Sequence, residues 1–150
     1  MVELLAPGPT EIATMKYLQL KASDELPDLS GLQPFKAVVA IETAVTAEQQ
    51  ARISRWLVES GCLYMMAWGK ECASWDESVA LANRKAFSTP EIPDPSLIIT
   101  TWHDGETLND VFWFAKYTAI HPCHTLDNLL LLHLATNERE QEIRAEYAAV

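Results

Sequence analysis

Positive charge is scarce in this chain, and the scarcity excludes more than any motif identifies. Only 11 Lys and Arg stand against 21 Asp and Glu, a formal net charge of −10. Nucleic-acid binding needs clustered cations to displace phosphate counterions, so neither a nucleic acid nor an anionic membrane surface is expected as a partner. Glycine is equally sparse, with five in all. No G-x-G-x-x-G follows the first apolar run, no glycine-rich phosphate loop exists, and no G-x-S-x-G elbow is present. Cys62, Cys72 and Cys123 are the three cysteines, none in a C-x-x-C pair. Reduced thiols in a cytoplasmic protein are the expectation. No run approaches the roughly 20 apolar residues of a membrane helix. The N-terminal residues do not read as a signal peptide. No cofactor is expected.

What is present reads as one domain. A chain of 150 residues with 49% hydrophobic and 21% charged residues can bury a sizeable core. Residues 1–14 carry Pro7, Gly8 and Pro9 without lasting periodicity, so 1–14 is expected to be a flexible extension and 15–150 a single α/β domain. Met15–Leu20 reads as a short edge strand. Phe35–Ile41, Cys62–Trp68, Leu97–Trp102 and Leu129–Leu134 are apolar runs with little alternation, as strands covered on both faces are.

Helical spacing fills the gaps between these runs. Thr46-Ala-Glu-Gln49 and Ser74-Trp-Asp-Glu77 fit capping boxes. Ile53, Trp56 and Leu57 form one stripe, and Trp75, Val79, Ala82 and Ala86 a second. Leu108, Val111, Phe112 and Ala115 form a third, and Ile143, Tyr147 and Val150 a fourth, on a closing helix starting near Asn137. Gly61 suits the left-handed end of the first helix. Strand–helix alternation with short connections implies a short, mostly parallel sheet of four to five strands between helices. This is a three-layer sandwich of the Rossmann-like or flavodoxin-like kind.

Ligands of open parallel sheets bind beyond the carboxyl ends of the strands. That rule selects Glu42-Thr43, Trp68 to Cys72, Trp102 to Glu106, and Thr136-Asn137. Glu42, Trp68, Lys70, Cys72, Trp75, Trp102, His103, Asp104 and Glu106 are therefore the candidate ligand or partner residues. Each also has a structural reading. Asp104 and Glu106 suit the N-terminus of the next helix, and Trp68 and Trp102 could cover the sheet edge. His103 beside Asp104 could be a base with its orienting acid, provided the turn begins there. Cys72 ahead of a helix would be activated, whereas a buried Cys72 would behave as a small hydrophobe. His121-Pro-Cys-His124 has zinc-type ligands but lies at the amino end of the sheet, without an evident fourth ligand, so no metal is expected.

Gly61 to Gly69, Ser74 to Val79 and Thr100 to Glu106 together resemble a family of small bacterial α/β proteins classed as a domain of unknown function. The likeness runs from about Met15 to Leu134. It implies a bacterial source and an intracellular α/β domain, and it carries no activity.

Without a catalytic signature, the expectation is an acidic protein-binding module of accessory or immunity type, docking on a partner with a basic face. The alternative is an enzyme or small-ligand binder using the carboxyl edge. A homodimer is a third possibility, because Trp113 and Phe114 widen the apolar arc of the third helix.

Overall fold

Apolar runs pair side by side in the sheet, and the amphipathic stretches between them cover its two faces. A computed structural model describes residues 14–150. The extension expected over 1–14 lies outside the described residues, apart from Thr14, which opens the first strand. In chain order the elements are β1 (Thr14–Leu20), β2 (Phe35–Ile41), α1 (Ala47–Ser60), β3 (Cys62–Gly69) and α2 (Ala73–Lys85). They continue with β4 (Ile99–Trp102), α3 (Leu108–Tyr117), β5 (Asn128–Leu134) and α4 (Glu140–Ala149).

The five strands form one parallel sheet in the order β1-β5-β2-β3-β4. Val39 at its centre faces Ala67 on one side and Leu132 on the other. Apart from Lys36, β2 is buried throughout, as β5 is from Leu129 to Leu134. Continuous burial explains why these strands show no polar alternation.

α1 and α2 cover one face, where Ile53, Leu57, Trp75 and Val79 pack on Val39, Met65 and Leu132. α3 and α4 cover the other, where Val111, Phe112 and Ile143 pack on Val38, Met66 and Leu131. The chain steps from β2 to β3 to β4 in one direction, then returns through α3 to β5 on the far side of β2. Beyond β2 it enters the α1 layer, and beyond β5 the α4 layer. The sheet therefore has its switch point between the carboxyl ends of β2 and β5.

Local chemistry sets the boundaries. Thr46 and Gln49 form the expected capping box of α1. Gly61 closes that helix at φ 97°, where a Cβ would lie 2.4 Å from the Gln33 side chain. Gly69 ends β3 at φ 100°, and a Cβ there would meet the Ile41 carbonyl oxygen at 2.2 Å. Only glycine lets the chain pass so close that the next amide, Lys70 N–H, donates to that oxygen.

Two caps differ from expectation. α2 begins at Ala73 without a side-chain cap, and the Ser74 hydroxyl donates to the Glu71 carbonyl instead. α3 is capped by Thr107 with Asp110 in a capping box, which relieves Asp104 and Glu106 of that role. Thr107-x-x-Asp110 uses the shorter acid in place of Glu or Gln, which hides it from the usual pattern.

Candidate functional site at the carboxyl edge

The carboxyl edge holds two separate polar clusters. At the switch point, Ala40, Glu42 and the β5 residue His133 share the sheet face covered by α3 and α4, because same-face positions recur every second residue. His133 is fully buried. Its Nε2–H donates to Glu42 Oε1 at 2.6 Å, and its Nδ1 accepts from the Tyr17 hydroxyl at 2.6 Å. The Arg139 backbone N–H donates to that hydroxyl at 2.9 Å, leaving the tyrosine proton for the imidazole. The Arg139 guanidinium closes the circuit on both Glu42 oxygens, at 2.9 and 3.0 Å. This set of partners fixes the imidazole tautomer.

Burial alone would raise the Glu42 carboxyl, but the hydrogen bonds from His133 and Arg139 outweigh it and hold the pKa below the ordinary value. Tyr17 is raised by burial, only partly offset by the Arg139 amide, so it is no ready tyrosinate. The circuit joins β1, β2, β5 and the start of α4. Of its four members only Glu42 lies in a segment that the strand-end rule selected. His133 carried a signal of its own, as the one polar residue in the run Leu129–Leu134.

The second cluster follows β4. His103 is buried, its Nε2 2.9 Å from the Thr101 hydroxyl and its Nδ1 3.1 Å from Glu106 Oε1. The Phe114 ring stands edge-on against it at 4.8 Å. Trp68 Nε1 donates to the Glu106 carbonyl at 2.7 Å, tying the β3 end to the same loop. The pairing of His103 with Asp104 is thus corrected: the turn brings Glu106 under the imidazole and leaves Asp104 in solvent. Hydroxyl, imidazole and carboxylate stand in the order of a nucleophilic relay. Even so, five cavities among the described residues are lined by other side chains, and none of the five by Thr101 or His103.

The remaining candidates divide between core and surface. Cys72 is buried, and desolvation pushes its thiol above the ordinary value, with the His103 amide opposing this only in part. The activated-thiol reading is therefore overturned. Trp75, in the first turn of α2, is also core. Lys70 is exposed beside an open cavity of about 240 Å³ that Gln50 and Ser74 bridge with a 2.8 Å hydrogen bond. Trp102 is 49% exposed and so does not cover the sheet edge.

At the opposite end, His121 Nε2 bonds the Leu97 carbonyl while its Nδ1 accepts from Cys123 N–H, leaving that ring no free lone pair. His124 Nε2 bonds the Pro95 carbonyl at 2.9 Å. The motif thus holds the β4 entry loop in place.

One family model, described as Domain of unknown function (DUF7684), matches residues 15–150. The chain belongs to this family. No curated protein and no solved structure matches it. In this DUF7684 domain, all of the motifs that carried the resemblance fall within the matched span, including the Trp102–Glu106 loop. No helix among the described residues is long and apolar enough to cross a membrane.

Proposed function

We propose that this protein is a cytoplasmic docking module whose carboxyl edge binds a partner with a basic face. The half-exposed Trp102, flanked by the exposed carboxylates of Asp104 and Glu106, carries the reading. Parallel βα units point the N-termini of α1 to α4 at this edge, and the first turns hold Glu48, Asp76, Asp110 and Glu140. Acids there complement the helix dipoles, while Arg84, Lys85 and Lys116 occupy last turns at the other end. The fold thereby turns a modest excess of acid into a polarised surface. A partner's Arg or Lys fits over the Trp102 indole with its charge near Asp104, a cation–π contact backed by complementary field.

The imidazoles His103 and His133 are spent on internal hydrogen bonds, and the Cys72 thiol is buried. This favours docking over catalysis at the same edge. The test is a pull-down with tagged protein at low and high salt, alongside Trp102→Ala and Asp104→Asn. A stoichiometric basic partner that leaves as salt rises, and that both variants lose, is the expected result. Capture unchanged in both variants would overturn the reading.

A further inference from the structure

The amino end of the sheet carries a different chemistry, independent of the docking edge. Lys36, the second residue of β2, points to the face covered by α3, and its Nζ donates to the Ala115 carbonyl near the end of that helix. Among the described residues no carboxylate pairs with it within 4.0 Å. Desolvation lowers its pKa, with the field of Asp127 only partly restoring it. A half-buried ammonium held by one carbonyl dipole, with Asp127 acting only from a distance, has no carboxylate in direct contact.

Lys36 also lines an open cavity of about 290 Å³, together with Lys116, Tyr117, Ile120, His124 and Leu126. Ile120 and Tyr117 are the most exposed large hydrophobic residues described, at 72% and 57%. Outside the cavity, the exposed Trp113 continues the apolar surface, its ring 5.4 Å from that of Tyr117. An acidic protein thus places a desolvated cation and its barest apolar surface in one cavity.

We propose that this cavity binds a small organic carboxylate, the anion pairing with Lys36 and the apolar body lying on Tyr117 and Ile120. A monoanion with an apolar body matches a single desolvated ammonium beside an apolar wall. A phosphate would need several converging N–H donors, and the helix N-termini that supply such donors lie at the opposite edge. Lys116, in the last turn of α3, adds a second cation to the lining and favours an anion here.

The experiment is an amide NMR titration of the full chain with phenylacetate, with inorganic phosphate as the control anion. Saturable shifts at Lys36, Tyr117 and Thr125 with phenylacetate, and none with phosphate, are expected. Lys36→Gln keeps a donor for the Ala115 carbonyl but loses the charge. It should weaken binding roughly ten- to a hundredfold, the worth of a charge-assisted hydrogen bond, while the melting temperature reports that the fold survives. Ile120→Asp places a like charge at an exposed position where folding is little affected, and it should abolish saturation. Non-saturating shifts, equal shifts with phosphate, or unchanged affinity in either variant would overturn the proposal.

Discussion

Truncating Glu42 to alanine tests the switch-point circuit most directly. The substitution removes the acceptor of the Nε2–H of His133, a side chain that is itself fully buried. An orphaned buried donor costs about 1–3 kcal/mol. It also removes the carboxylate that Arg139 grips with two bonds. Those side chains are 34% and 35% exposed, so screening limits that part to less than about 1 kcal/mol. The sum, about 1–4 kcal/mol, corresponds to a fall of roughly 2–16 °C in melting temperature for a domain of this size.

Glu42→Gln keeps one acceptor oxygen and should cost about half as much. Because the folded carboxyl sits below its ordinary pKa, its stabilisation is complete above the unfolded value and is lost as pH falls through the folded one. Urea unfolding of wild type and both variants, stepped downward from neutral pH, should therefore show the gap closing below the ordinary carboxylate range. A Glu42→Ala stability within about 0.5 kcal/mol of wild type at neutral pH would refute the circuit.

Two further outcomes follow from buried polar groups and thiols. Ser54 and Ser78 join α1 to α2 through hydroxyls 2.7 Å apart, with Ser54 fully buried. Each alanine variant should lose about 1–2 kcal/mol, and the double variant less than the sum by about 1 kcal/mol, in a urea double-mutant cycle. Of the three thiols, exposed Cys123 alone should react promptly with an aromatic disulfide reagent in the folded protein. Buried Cys62, pushed up to about 12, and buried Cys72 should react only after unfolding.

Elements dominated by local chemistry were readable from the chain. Unalternating runs such as Phe35–Ile41 marked strands covered on both faces, and Thr46 with Gln49 marked a helix start, because these signals depend on neighbours a few residues away. The α3 stripe of Leu108, Val111, Phe112 and Ala115 is buried as its spacing indicated. Within the site, His103 and Glu42 were selected by their positions at strand ends. Glu106 was selected with them, but the pairings were not, because Glu106 reaches His103 through a turn, and His133 joins Glu42 and Tyr17 across 91 and 116 residues.

Sequence by itself determined the period of each segment, the class of the fold, the excess of acid and the exclusion of glycine-loop chemistry. Tertiary structure alone decided the strand order, and with it the switch point between β2 and β5. It also decided which ring nitrogens are spent, that Cys72 is core and Trp102 is surface, and that Lys36 shares a cavity with Tyr117 and Ile120. The physical reason is the range of the forces involved. Periodicity and capping act within a turn or two of chain, whereas desolvation and long-range pairing exist only once distant segments have excluded water from one another.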